Sequence, residues 1–235
     1  MSSEFAGRVA VVTGASSGIG RATARLLAAE GARVALFSRS EERLRDLAQI
    51  YPDQMLAVAG DVADEQAISR LFEECEKGFG PCDLLVNNAG MIFPRSLHQT
   101  SPEDWDRLFA VNVRGVFLAT RRALPSMLER GSGAIVNVAS ISGVLGTKKF
   151  PGYVSYCASK AAVISLTEAL AVELRDRGVR VNCISPGAVE TQMWREAGGG
   201  APASMTPEEV ARGILFLLSS ESSPMNGQNL HVYSS

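Results

Sequence analysis

Tyr156 and Lys160, four residues apart in Tyr156-Cys157-Ala158-Ser159-Lys160, have the types and spacing for acid–base chemistry. On a helix, positions i and i+4 stand one above the other on the same face. A free phenol titrates at about 10, too high to exchange a proton readily at neutral pH. An ammonium ~4 Å away, at an effective dielectric of ~20, favours the phenolate by ~4 kcal/mol, or ~3 pKa units. That brings the expected value for Tyr156 to about 7, where general acid–base catalysis works best. A plain surface pair would share the spacing, so the rest of the chain has to decide. Cys157 should point about 100° away from Tyr156 and takes no chemical part.

Other chemistries lack their residues. His98 and His231 are the two histidines, which leaves little from which to build a Ser–His–Asp site or a histidine-rich metal centre. The four cysteines, Cys75, Cys82, Cys157 and Cys183, form no C-x-x-C and no metal-like pairing, and at least three read as buried free thiols. A formal net charge of −2 gives no electrostatic reason to expect nucleic acid or an anionic membrane as partner. The longest apolar runs, such as 10–12 and 214–218, are too short to span a bilayer. No basic region followed by a long apolar stretch opens the chain, so a soluble cytoplasmic protein is the expectation. At 235 residues, 46% hydrophobic and 20% charged, the chain has material for one large α/β domain or two small ones.

The elements that would position Tyr156 and Lys160 alternate between strand and helix. Residues 8–13 (RVAVVT) are an apolar, β-branched run that stops at Gly14, as a fully buried strand does. Gly14-Ala15-Ser16-Ser17-Gly18-Ile19-Gly20 follows, then a helical pattern with Ile19, Thr23, Leu26 and Leu27 on one face, closed by Gly31. Strand, glycine-rich turn and helix aim backbone N–H groups at a phosphate. The spacing G-x-x-x-G-x-G is neither the usual dinucleotide fingerprint nor a Walker loop, and its place after the first strand gives it weight. Residues 33–38 are the second strand, with Ser38-Arg39-Ser40 at its carboxyl end and no acid before Glu41. In a dinucleotide fold this tip meets the adenosine ribose, where a carboxylate suits a 2′-hydroxyl and an arginine a 2′-phosphate. Arg39 therefore favours the phosphorylated cofactor.

Residues 55–59 make the third strand, ending in Gly60-Asp61-Val62; Asp61 could accept from an adenine amine or cap the next helix. Asp64 is the better cap, because Ile68, Leu71, Phe72, Cys75 and Phe79 then form a helical stripe. Residues 83–88 are the fourth strand, closing with Asn87-Asn88-Ala89-Gly90, whose small residues let a ligand approach the main chain. Ser101-Pro102-Glu103-Asp104 caps a long helix with Trp105, Leu108, Phe109, Val113, Val116, Phe117, Leu124 and Leu128 at core spacing. Asn112 interrupts that face, so it either bonds to backbone at a kink or holds a water beside a site. Residues 134–139 are the fifth strand and set Ser140 at the carboxyl edge, where open α/β sheets bind ligands. A loop through Gly143, Gly146 and Pro151 leads to the Tyr156 helix, with Val163, Leu166, Leu170 and Leu174 on its buried side. After a sixth strand at 179–184 comes Ser185-Pro186-Gly187-Ala188-Val189-Glu190-Thr191. Residues 192–204, with three consecutive glycines, read as the least ordered part, either a mobile loop over a pocket or a connector. Thr206-Pro207-Glu208-Glu209 is a capping box for a helix through Val210, Ile214 and Leu217, and 228–233 is a last, edge-like strand. The expected architecture is one doubly wound Rossmann-type α/β domain over 1–235, with about seven parallel strands and helices on both faces.

Six motifs then fall in register: Thr13-Gly14-x-x-x-Gly18-x-Gly20, Asn87-Asn88-Ala89-Gly90, Asn112, Ser140, Tyr156-x-x-x-Lys160 and Pro186-Gly187-x-Val189-x-Thr191. In this order and spacing the chain resembles the short-chain dehydrogenase/reductase family from about Arg8 to Tyr233. Within it the chain is most similar to 3-oxoacyl-[acyl-carrier-protein] reductase-like and carbonyl-reductase-like members. The resemblance implies an NADP(H)-dependent oxidoreductase, with NAD(H) the alternative cofactor, acting between a carbonyl and a secondary alcohol. Tyr156 would be the general acid or base and Lys160 would lower its pKa and hold the nicotinamide ribose. Ser140 would donate to the substrate oxygen, and Asn112 would keep a water linking Lys160 to solvent. Gly14, Ser16, Ser17, Gly18, Ile19 and Gly20 would bind the pyrophosphate, Arg39 the 2′-phosphate, and Asp61 and Val62 the adenine. Asn88, Ala89 and Gly90 would shape the cofactor cleft, while Pro186, Gly187, Val189 and Thr191 would meet the nicotinamide. A homo-oligomer, tetramer or dimer, built on the two long helices is implied as well.

Three departures mark this chain. The loop carrying Lys148-Lys149-Phe150-Pro151 is longer than is common, the 191–206 substrate loop is short, and Val232-Tyr233-Ser234-Ser235 stands where Asp-Gly-Gly is usual. Ile92, Phe93, Leu145, Phe150, Met193 and Trp194 could line an apolar substrate pocket. Two rival readings have a sequence basis. Tyr153 and Lys160 meet the Tyr-x6-Lys spacing of an enoyl reductase, although a methionine is expected there in place of Tyr156. A non-catalytic NADP(H) sensor would bind cofactor, but binding alone does not require Ser140 and Tyr156.

Overall fold

The computed structural model describes residues 4–233. Its strands are β1 (Val9–Thr13), β2 (Arg33–Ser38), β3 (Met55–Ala59), β4 (Leu84–Asn87), β5 (Gly133–Val138), β6 (Val179–Pro186) and β7 (Asn229–Val232). They form one parallel sheet in the order β3-β2-β1-β4-β5-β6-β7. The helices are α1 (Gly18–Ala29), α2 (Glu41–Ala48), α3 (Glu65–Gly78), α4 (Pro102–Phe109), α5 (Gly115–Arg130), α6 (Val154–Glu173), α7 (Gln192–Ala197) and α8 (Pro207–Leu218).

The apolar strands have this form because both of their faces are covered, and alternate residues feed opposite cores. Val12, Leu36, Val86 and Val136 pack with Leu27 of α1, Leu44 of α2 and Ile214 of α8. Val11, Phe37, Leu85 and Ile135 pack on the other side with Leu71 and Phe72 of α3 and Ala119 of α5. Each such buried side chain is worth roughly 1.5–3 kcal/mol. A polar rung crosses the second face. Asn87 Nδ2 donates to Thr120 Oγ1 (3.0 Å) and Asn137 Oδ1 (2.9 Å), and Asn137 Nδ2 donates to Thr167 Oγ1 (2.9 Å). Asn87 and Asn137 are register partners, so the rung ties α5 and α6 to neighbouring strands.

The chain runs outward from β1 to β2 and β3, then returns to place β4 on the free side of β1. That reversal opens a crevice at the carboxyl ends of β1 and β4. Thr13 stitches its floor: its Oγ1 accepts from the N–H groups of Asn88 (3.0 Å) and Ala89 (3.1 Å). In return Asn88 Nδ2 donates to the carbonyls of Thr13 (3.0 Å) and Gly14 (3.3 Å).

The expected caps are present. Asp64 accepts from the Gln66 N–H, Ser101 from Asp104, and Thr206 and Glu209 form a reciprocal capping box. Two elements differ from expectation. The long helix after Ser101 is broken at Ala110–Arg114 by a π-turn, in which the Gly115 N–H reaches back to the Ala110 carbonyl. Asn112 stands at its centre. The 192–204 stretch opens with a helix, α7, capped by the Thr191 hydroxyl (3.2 Å from the Trp194 N). Cys75, Cys82 and Cys183 are buried free thiols, and Cys157 is half-buried. Ser234 and Ser235, in the atypical closing segment, lie outside the described residues. Among the described residues no helix is long and apolar enough to cross a membrane.

Candidate active site

A cavity of about 590 Å³ runs along the carboxyl edge of the sheet. Its size is that of a cofactor or drug-sized ligand site. Gly14, Ser16, Ser17, Gly18, Ile19, Arg39, Asp61, Val62, Asn88, Ala89 and Gly90 line it from one end. Ser140, Tyr156, Lys160, Pro186, Gly187, Val189 and Thr191 line the other. Gly20 and Asn112 are the two expected residues that stand behind the wall rather than in it.

The glycine turn is built for close approach. Gly14 and Gly18 have φ of 68° and 52°, in the left-handed region that favours glycine. A Cβ at Gly18 would sit 3.0 Å from Thr191 Cγ2, and one at Gly14 2.7 Å from Asn88 Nδ2. Gly20 serves packing: a Cβ there would be 2.4 Å from both Asn88 Nδ2 and the Gly14 carbonyl. Helix α1 differs from α3, α4 and α8 in having no side-chain cap and no acid in its first turn. Its leading N–H groups are therefore offered to an anion.

At the far end Ser38, Arg39, Ser40 and Arg43 surround the tip of β2. The nearby acid Glu41 is paired with Arg45. Asp61 both caps locally and pairs: Oδ1 accepts from the Ala63 N–H (2.9 Å), and Oδ2 meets Arg107. Burial raises the Asp61 carboxyl, but the bonds from Arg107 and Ala63 and the charges of Arg107 and Arg39 together hold it below its ordinary value. Arg43 and Arg107 carried no motif; only the fold brings them to this wall.

At the other end, β5 delivers Ser140 and α6 delivers Tyr156 and Lys160. Ser140 Oγ accepts from the Ser142 N–H (3.1 Å) and stands close enough to the Tyr156 phenol to lower its pKa. Lys160, 4% exposed, donates to the Val138 carbonyl at 2.8 Å. Its Nζ lies 5.8 Å from the centroid of the Tyr156 ring. The expectation of a phenol near neutrality is overturned. Burial pushes Tyr156 up to about 12, and the nearby Ser140 hydroxyl offsets only part of that. Burial also brings the Lys160 ammonium down to about 8. The pair is enclosed, and desolvation of the charged form is the largest cause of both shifts.

Asn112 bonds to backbone at the break in its helix, as one of its two expected readings has it. Its Oδ1 accepts from the Met91 N–H (2.8 Å), and Nδ2 donates to the Met91 carbonyl (2.9 Å) and Ser159 Oγ (3.0 Å). The amide thus bonds the loop after β4 like a neighbouring strand, at the π-turn, and both of its N–H groups are spent. Of the expected apolar liners, Ile92, Phe93, Met193 and Trp194 reach the cavity, together with Tyr153 and Ala197. Leu145 and Phe150 do not; Leu145 is 92% exposed. Lys149 is engaged in folding its own loop, donating to the Ser142 carbonyl (2.8 Å) and Thr147 Oγ1 (2.9 Å).

The family model described as short chain dehydrogenase matches residues 8–200. A 3-oxoacyl-[acyl-carrier-protein] reductase of Thermotoga maritima is 40% identical, with 96% of each chain covered. A 2-(R)-hydroxypropyl-CoM dehydrogenase of Xanthobacter autotrophicus is 40% identical over 95% of this chain and 96% of its own. The crystal structure of a 3-ketoacyl-(acyl-carrier-protein) reductase from Brucella melitensis complexed with NADH superposes with a TM-score of 0.89. It is 35% identical and covered at 97% in both chains.

Proposed function

The chain belongs to the short-chain dehydrogenase family and is an oxidoreductase, and from that premise we propose that it reduces a carbonyl with NADPH, using Tyr156 as the general acid. The observation that carries the proposal is the meeting of Ser140, Tyr156 and Lys160 in the same cavity as the uncapped end of α1. The residues present fit a dinucleotide: a close-approach glycine turn, free helix N–H groups and a cationic far end. When bound, the nicotinamide supplies the hydride. Tyr156, held protonated by burial, gives its phenolic proton to the substrate oxygen. Ser140 Oγ donates to that same oxygen as negative charge gathers there. Lys160 holds ribose hydroxyls with its remaining N–H groups and returns a proton to the phenolate.

Arg39 and Arg43, at the tip of β2 where the neighbouring Glu41 is paired with Arg45, support preference for the 2′-phosphorylated cofactor. Residues 191–206 form the substrate loop of this single domain. Phe117 and Val172, exposed on α5 and α6, support assembly into a homo-oligomer. The test is an oxidation screen with NADPH and NADH over ketones, aldehydes, quinones and 3-oxoacyl thioesters. Wild-type protein is expected to consume NADPH. Tyr156→Phe should bind it equally and turn over at least about a hundredfold more slowly, and Arg39→Asp should swing the kcat/KM ratio toward NADH. Undiminished turnover in Tyr156→Phe removes the catalytic assignment, and an unchanged ratio removes that of Arg39.

A further inference from the structure

Residues 190–205 form a flap with a closed base. Val189 and Met205 make a parallel bridge, the Glu190 N–H donates to the Met205 carbonyl (2.8 Å), and the Ser204 N–H donates to the Ala188 carbonyl (3.1 Å). Within the flap, Trp194 Nε1 donates to the Ala201 carbonyl at 2.9 Å, spanning the glycine triplet. The tip of the flap is tied to the rest of the molecule by one hydrogen bond among the described residues. The Tyr153 hydroxyl donates to the Ala197 carbonyl at 2.6 Å. That carbonyl ends the six-residue α7, where helix carbonyls lack partners within the helix.

Tyr153 is also joined to the reacting end. It stands directly before α6, the helix that bears Tyr156 and Lys160. It is 6% exposed, its ring is edge-on to Tyr156 (centroids 6.0 Å, interplanar 81°), and Phe150 leans on it at 5.5 Å. Trp194 and Ala197 line the cavity opposite, so one side chain spans from the α6 face to the flap. We propose that Tyr153 is a positioning residue for the substrate end of the site, its hydroxyl latching the flap at Ala197 and so setting the wall of Trp194 and Ala197 against Tyr156. Burial raises the Tyr153 phenol, which keeps it a donor through the working range of pH. Its hydroxyl is committed to the flap, which also explains why the Tyr-x6-Lys spacing need not mean enoyl reduction.

Tyr153→Phe keeps the ring contacts and removes only the latch. Amide hydrogen exchange over residues 192–201 is expected to accelerate about two- to tenfold, the worth of one neutral hydrogen bond, with α1 and α8 unchanged. The kinetic half rests on the carbonyl reduction proposed above. There KM for the carbonyl should rise by about the same factor, while kcat and KM for NADPH hold. Unaltered exchange in 192–201 overturns the latch. A fall in kcat at constant KM also overturns it, by placing the hydroxyl in the chemistry. Wild-type protein that consumes no NADPH with any carbonyl defeats the reaction but not the latch, which the exchange comparison still decides.

Discussion

Lys160 shows what a buried cation costs a fold that keeps it. Enclosed at 4% exposure with the Val138 carbonyl as partner, its ammonium titrates at about 8, against an ordinary 10.5. Between those two values the unfolded chain holds more protons than the folded one, so stability rises with pH across that window. Below pH 8 the penalty is present in full and of order 3 kcal/mol. Lys160→Met is therefore expected to be inactive yet more stable than wild type at pH 7, with the advantage fading by about pH 10.5. Urea unfolding of both proteins at pH 7 and 10 measures it, and a difference that does not shrink removes the assigned cost. Tyr156 acts with the opposite sign and higher up. Its folded value of about 12 lies above the ordinary 10.0, so stability is lost as pH climbs past 10. The same Lys160 value predicts that kcat/KM for reduction declines as pH rises through about 8, because that ratio reports the free enzyme.

At the level of elements, the π-turn at Ala110–Arg114 is where the chain gives up regular helix to hold a loop. Asn112 spends its whole amide on Met91 and Ser159, and Met91 follows directly on the Asn88–Gly90 floor of the crevice. Asn112→Ala takes away the partner of the half-buried Met91 N–H and carbonyl and the amide donor to Ser159 Oγ. The expected loss is about 2–4 kcal/mol, with weakened cofactor binding. Calorimetry and cofactor titration check both; an unchanged affinity would make Asn112 a packing residue alone. The asparagine was conspicuous in the sequence because it broke an apolar face, but its partner was not, since Met91 lies 21 residues away. Helix starts were easier to read. Asp64, Ser101 and Thr206 act within their own first turns, and local chemistry is written locally. Helix α7 was hidden by three glycines that in fact follow it.

Over the whole molecule, strand–helix alternation gave the sheet, its parallel pairing and its ligand edge, because each strand is a bare apolar run stopped by a turn. The titration of Tyr156 could not be read the same way. Spacing along a helix says which groups are neighbours, but solvent exclusion depends on what the rest of the chain stacks above them. Arg180 belongs to that second kind. From β6 its guanidinium collects carbonyls at the end of α8 and beyond: Leu217 (3.2 Å), Ser219 (2.8 Å) and Ser222 (3.1 Å). It fastens the last quarter of the chain to the sheet, where a cation also meets the negative end of the helix. Arg180→Leu should cost about 2–3 kcal/mol, a fall in Tm of roughly 5–10 °C by thermal denaturation. No measurable fall would mean that water serves those carbonyls as well. The Thr13 clasp has a consequence for assembly in time. Its two bonds to Asn88 and Ala89 join segments 75 and 76 residues apart, so a nascent chain displaying the glycine turn still has no crevice. Distant closure of this sort makes folding slow. On the ribosome the dinucleotide pocket must wait for the fourth strand, and its reacting end for the sixth helix, so cofactor can stabilise only a nearly finished molecule.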